Sequence, residues 1–116
     1  MKLELTASKI WMATEPVDFR KGLNGLSELI ATHFGRGLGS HLYVFYNRRK
    51  NNLKCIAHHR NGTILLCKQL QKKRFTVSVD SSGLIELDTS QLSWLLAGLD
   101  WIAMSTDSEE SYDDYF

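Results

Sequence analysis

A chain of 116 residues holds one domain with a single hydrophobic core, and 43% hydrophobic with 23% charged residues is an ordinary globular balance. No apolar run approaches the roughly 20 residues that cross a bilayer, and the opening MKLELTASK lacks the apolar stretch of a signal peptide, so the expected location is the cytoplasm. The net charge of +1 conceals a division: residues 20–74 carry twelve Lys and Arg against Glu28 alone, while residues 75–116 carry nine acids and no Lys or Arg.

A basic body with an acidic end can bind a polyanion, its end competing for the site or meeting a basic partner; the same counts also describe a merely solvated surface. Cys55 and Cys67 are too few for a disulfide framework and in the cytoplasm are expected as reduced thiols.

In chain order, Lys9 to Ala13 reads as a first strand that ends near Pro16. Asp18 is placed to cap a helix beginning at Phe19, and Phe19, Leu23, Leu26, Ile30 and Phe34 recur at helical spacing to about His33. Gly22 falls on that stripe, which fits either close approach to a sheet or simple tolerance of the glycine. His33 near the stripe is a hydrogen-bonded side chain before it is a ligand. Gly35, Gly37 and Gly39 lead out into HLYVFYNRRKNNLKCIAHHRNGTILLCKQL, residues 41–70, written as a three-stranded antiparallel meander.

Asn61-Gly62 is the preferred pair for a two-residue hairpin turn, which would set Arg60 opposite Thr63, His58 opposite Leu65 and Cys55 opposite Lys68. Cys55 and Cys67 then point to opposite faces, against a zinc site with His58 and His59. Pairing Tyr46 with Leu53 across the first turn gathers Leu42, Val44, Tyr46, Leu53, Cys55, Ala57, Ile64 and Leu66 on one face, expected under the helix of residues 19–33. The opposite face gathers Tyr43, Phe45, Lys54, Ile56, His58, Arg60, Leu65 and Cys67. Rings beside cations can stack on bases and hold phosphates, although the aliphatic part of this face calls for cover by the C-terminal helix or a second subunit.

Beyond the meander, Phe75 to Val79 and Leu84 to Leu87 read as strands on either side of the Ser81-Ser82-Gly83 turn. Thr89 or Ser90 can cap a last helix carrying Leu92, Leu95, Leu96 and Leu99, and Trp94 and Trp101 are candidates to pack on the body. The expected fold is therefore α+β: a mostly antiparallel sheet of four to six strands around the meander, one helix packed on a face and a second, C-terminal helix. Residues 1–103 form the domain and residues 104–116 an acidic, disordered tail.

No phosphate-binding glycine loop, HExxH or CxxC occurs, and the acids and histidines lie in separate elements; Asp18 with Arg20, or Asp88 with Asp100, is explained more simply by capping and solvation than by acid–base chemistry. The chain is read as no enzyme, with no metal and no cofactor. What carries mechanism is a series of cations, Arg48, Arg49, Lys50, Lys54, Arg60, Lys72, Lys73 and Arg74, clustered mainly at turns and suited to salt-dependent phosphate contacts.

Taken together, Pro16-Val17-Asp18-Phe19-Arg20-Lys21-Gly22, Leu42-Tyr43-Val44-Phe45 with Asn47-Arg48-Arg49, Arg74-Phe75 and the LSWLLAG of residues 92–98 resemble the small accessory protein, often called TnpB or the second-open-reading-frame product, of bacterial insertion sequences of family sixty-six. The motif residues here are Asp18, Phe19, Arg20, Lys21, Gly22 and Asn47. The chain departs from that pattern at Thr76-Val77, where many members carry Trp-Pro, and at His58-His59-Arg60-Asn61. The resemblance implies a non-enzymatic protein encoded beside a DDE-type transposase and needed for efficient transposition. Its partners would be that transposase and other proteins of the element, with DNA as a further partner and homo-oligomers possible; an adaptor that never touches DNA is the alternative.

Overall fold

A computed structural model describes residues 5–33, 35 and 39–105. Five strands, β1 (Ile10–Ala13), β2 (Leu42–Tyr46), β3 (Asn52–His59), β4 (Gly62–Gln69) and β5 (Leu84–Leu87), form one sheet in the order β4-β3-β2-β1-β5. Helix α1 (Leu23–His33) lies between β1 and β2 in the chain, and α2 (Thr89–Leu96) is followed by a helical turn over residues 101–105. The α+β architecture, the meander β2-β3-β4 and the C-terminal helix are as expected from the sequence. The Phe34 end of the apolar stripe, Gly37, the His33 side chain and residues 106–116 of the acidic segment lie outside the described residues.

Neither pairing of β1, parallel with β2 and antiparallel with β5, was legible. β1 runs parallel to β2, Ile10 opposite Leu42 and Met12 opposite Val44, which makes α1 a crossover between neighbouring strands. A crossover helix must lie over one face of the sheet, and the handedness of such units, not residue pattern, decides which.

Alternation sorts the residues of each face correctly, but their cover is exchanged. Leu42, Val44, Tyr46, Leu53, Cys55 and Ala57 do share a buried face, yet they pack with Phe75, Leu95 and Trp101 from the C-terminal part, not with α1. Helix α1 instead sends Leu26 and Ile30 onto Tyr43, Phe45 and Ile56. Those three are wholly inaccessible, so the rings of that face are core and offer no surface on which a base could stack.

Local boundaries moved for local reasons. Helix α1 begins at Leu23, not Phe19, because Asp18 turns back on Arg20 while the Gly22 carbonyl accepts the first helical bond, from Leu26 N–H at 3.0 Å. A Cβ on Gly22 would meet nothing within 4 Å, so close approach does not explain that glycine; it occupies the N-cap, where glycine is well tolerated. Helix α2 is capped by Asp88, one residue before Thr89 and two before Ser90, the expected caps, in a reciprocal box with Gln91.

Residues 75–79 form no strand, and two backbone groups at the start of the segment are engaged elsewhere. Phe75 N–H donates to Lys50 O at 2.7 Å, and Thr76 O accepts the Trp101 indole N–H at 2.7 Å.

The β3-β4 turn is Arg60-Asn61, with His59 opposite Gly62, a shift of two residues from the register expected of an Asn-Gly turn. The observed register puts Ile56 opposite Leu65, Ala57 opposite Ile64 and Cys55 opposite Leu66. Several apolar cross-strand pairs at about 0.2–1 kcal/mol each outweigh the roughly 1–2 kcal/mol of holding Arg60 at φ +57°. A shift of two preserves alternation, so Cys55 and Cys67 still face opposite sides.

That separation has a measurable consequence. Burial pushes the Cys55 thiol up to about 12, whereas Cys67 is exposed. Native protein at pH 8 should therefore take up one equivalent of a thiol reagent, at Cys67, and a second only on unfolding, read by mass spectrometry. Because the folded-state value is the raised one, the contribution of Cys55 is complete below its ordinary value near 9 and is lost as pH climbs towards 12.

Candidate functional site

Parallel β1 and β2 deliver their C-terminal ends to the same end of the sheet. There Val17 N–H donates to Tyr46 O at 2.9 Å, fastening the segment after β1 beside the end of β2. The tip of the β2-β3 hairpin is built around Asn47, whose Oδ1 accepts the N–H groups of Asn51 at 3.1 Å and Asn52 at 3.0 Å while its Nδ2 donates to Asn51 Oδ1 at 2.7 Å. Strand β4 returns to this end, where Leu70 N–H donates to Asn51 O at 2.9 Å, and Phe75 N–H closes the loop onto Lys50 O. Three segments distant in sequence, residues 16–21, 47–51 and 70–75, thus meet.

Their side chains line two adjoining depressions. A cleft of about 840 Å³ lies between Pro16, Val17, Asp18, Phe19 and Arg20 on one wall and Asn47, Arg48 and Arg49 on the other. A smaller hollow of about 270 Å³ is lined by Arg49, Asn51 and residues 70–74, so Arg49 borders both. Arg48, Arg49, Lys72, Lys73 and Arg74 are exposed, and Lys50 is half-buried with its backbone at φ +62°. Among the described residues none of these six forms an ion pair with a carboxylate.

The exception to free charge at this end is Asp18 with Arg20. The Asp18 carboxylate accepts Arg20 Nε at 3.0 and 3.1 Å, Nη2 at 2.6 Å and the Arg20 backbone N–H at 2.9 Å. Those side-chain and backbone bonds from Arg20 hold the Asp18 carboxyl down at about 2, and the reciprocal bond raises Arg20, so both stay ionised throughout the neutral range.

Two of the eight expected phosphate-contacting cations stand apart. Lys54 is half-buried; its Nζ donates to Phe19 O at 3.2 Å and sits 4.9 Å from the Phe19 ring centre, pinning the turn before α1. Arg60 is in the β3-β4 turn at the opposite end of β3, roughly 25 Å away for an eight-residue strand. The remaining six converge and are joined by Arg20.

The family model described as "IS66 Orf2 like protein" matches residues 8–106, which span the sheet, both helices and the whole of this basic end. The chain belongs to the IS66 Orf2-like family. Two proteins of Sinorhizobium fredii (strain NBRC 101917 / NGR234) are similar to it: "Uncharacterized protein y4jC", 35% identical over 80% of each chain, and "Uncharacterized protein y4hO", 33% identical over 80% of this chain and 82% of that one. No solved structure matches. Membership of the Orf2-like family suggests an accessory role in transposition of IS66 elements.

The DFRKG and NRR motifs of this IS66 Orf2-like chain lie far apart in sequence and face each other across the cleft. Asn47 serves there as the internal brace of the hairpin tip and Phe19 as the seat for Lys54, while Lys21 N–H closes the preceding turn on Asp18 O at 3.1 Å. Arg20 is not among the cations that the sequence assigns to phosphate; the signal that could have placed it there is parallel pairing of β1 with β2, which brings the PVDFRKG segment to the hairpin tip. Among the described residues, no three His, Cys, Asp or Glu side chains are grouped to hold a metal ion, and no helix is long and apolar enough to cross a membrane.

Proposed function

We propose that this IS66 Orf2-like protein is a non-enzymatic transposition accessory factor whose basic end binds DNA phosphates beside the DDE-type transposase of its element. The observation that carries the reading is the convergence of Arg48, Arg49, Lys72, Lys73 and Arg74 around two adjoining hollows at one end of the sheet, with Lys50 in the same hairpin tip and no carboxylate partner for any of them among the described residues. Long exposed cations around adjoining hollows suit a curved polyanion, because phosphate contacts position the duplex without demanding a fixed donor geometry.

Duplex DNA titrated at rising salt tests it. Affinity should fall steeply with salt, and Arg48→Ala with Arg49→Ala should flatten the log–log slope by about 0.9 for each phosphate no longer neutralised and weaken binding by roughly tenfold. Arg60→Ala, at the far end, should change neither. Absence of binding at low salt would remove DNA from the proposal, and equal weakening with Arg60→Ala would remove the basic end as the contact surface.

A second reading, an adaptor for the transposase alone, is favoured by the exposed apolar side chains Leu66, Val79 and Leu99. It requires a complex with the transposase that survives nuclease treatment and high salt.

A further inference from the structure

The polar groups of the 840 Å³ cleft differ in how firmly they are held. The Asn47 amide commits its oxygen and one of its two N–H donors within its own turn. Arg48 and Arg49 are exposed and have no carboxylate partner among the described residues, so they are free to follow a backbone of variable position. Arg20 alone among these cations is set in one orientation: the Asp18 carboxylate occupies Nε and Nη2, and its backbone N–H is tied to the same carboxylate.

A guanidinium has five N–H donors in a rigid plane. With Nε–H and one Nη2–H directed at Asp18, the outer edge keeps a parallel pair, one N–H from Nη1 and one from Nη2, pointing away from the carboxylate. That pair matches the O6 and N7 acceptors that guanine presents in the major groove, the commonest sequence-specific contact of arginine with DNA. As a mere phosphate anchor the arrangement makes little sense, since a carboxylate within 2.6 Å offsets the charge a phosphate seeks. Stability does not explain it either, because the Arg20 side chain is 91% exposed and such pairs contribute little. Fixing the direction of a donor pair is what the carboxylate does achieve, and direction is what base-edge recognition requires.

We infer that Arg20, oriented by Asp18, is a sequence-reading residue of this protein: it pairs with a guanine edge in the major groove while Arg48, Arg49 and the 72–74 cations hold the flanking phosphates. Arg20 is the contacting residue and Asp18 a positioning residue. The inference rests on the DNA-binding reading above and adds base preference to it.

The test uses the full chain and a pool of randomised duplexes, with bound and unbound fractions sequenced at several salt concentrations. The unsubstituted protein should enrich guanine at one or more positions by on the order of ten- to a hundredfold over the other bases. Arg20→Lys keeps the charge but not the paired donors and should abolish the enrichment; Asp18→Asn should reduce it severalfold more than it reduces affinity for the unselected pool. Thermal melts of each variant confirm that the fold is retained. Failure of the unsubstituted protein to bind any duplex would overturn the proposed function and this inference with it. Salt-dependent binding without guanine enrichment, or enrichment that persists in Arg20→Lys, would overturn the inference alone, leaving Arg20 as a phosphate contact.

Discussion

Phe45→Ala should lower the unfolding free energy by roughly 3–5 kcal/mol in urea denaturation, the range for emptying a fully buried aromatic site. Phe45 is wholly inaccessible and lies in the cluster formed with Leu26 and Ile30 of α1, so the substitution leaves a cavity walled by the helix that links β1 to β2. The identity of the cover can be checked by coupling. Phe45→Ala combined with Leu26→Ala should be non-additive by about 0.5 kcal/mol or more, whereas Phe45→Ala with Leu95→Ala, on opposite faces of the sheet, should add. The reverse pattern would put α1 on the wrong face.

Asn47→Ala should cost about 2–4 kcal/mol, much more than a typical loop substitution, because it strands two half-buried backbone N–H groups, those of Asn51 and Asn52, and removes the bond to the Asn51 side chain. Asn47→Asp should recover much of this, since a carboxylate still accepts both N–H groups. The damage should also reach function, for Arg48 and Arg49 follow Asn47 directly and Phe75 is hung on Lys50 O of the same turn. Amide exchange of Asn51, Asn52 and Phe75 should accelerate together in Asn47→Ala. Acceleration confined to Asn51 and Asn52 would show that the 70–75 segment is held independently of the hairpin tip.

How far the residues alone reach depends on the range of the interaction that decides each feature. The β2-β3 register, Tyr46 against Leu53, was legible because alternation and one turn determine it within a dozen residues. Leu84 to Leu87 and the C-terminal helix were legible for the same reason. At the β3-β4 turn local preference misled: Asn61-Gly62 favours one register, and the apolar matches of Ile56 with Leu65 and Ala57 with Ile64 impose another. Residues 75–79 have the composition of a strand, but Phe75 N–H and Thr76 O are spent on Lys50 and Trp101, partners no local pattern announces.

The candidate site divides along the same line. Its cations could be counted in the chain, and its motif residues carried a family resemblance that the match over residues 8–106 bears out. Which cations share a surface could not be counted. Lys54 and Arg60 have the same chemistry as Arg48 or Lys73, yet one is spent on Phe19 and the other stands at the far end of β3. Arg20 joins the cluster because β1 happens to run parallel to β2.

Alternation of side chains along the strands, a property of the covalent backbone, determined from sequence which residues share a face and that the chain builds an α+β sheet. Only the tertiary structure decided which helix covers which face, and therefore that Tyr43 and Phe45 are core while residues 16–21, 47–51 and 70–75 form one end. That choice follows from a crossover whose strands are about thirty residues apart in sequence, and at that separation it is the closing of the whole chain, not the preference of any segment, that sets the outcome.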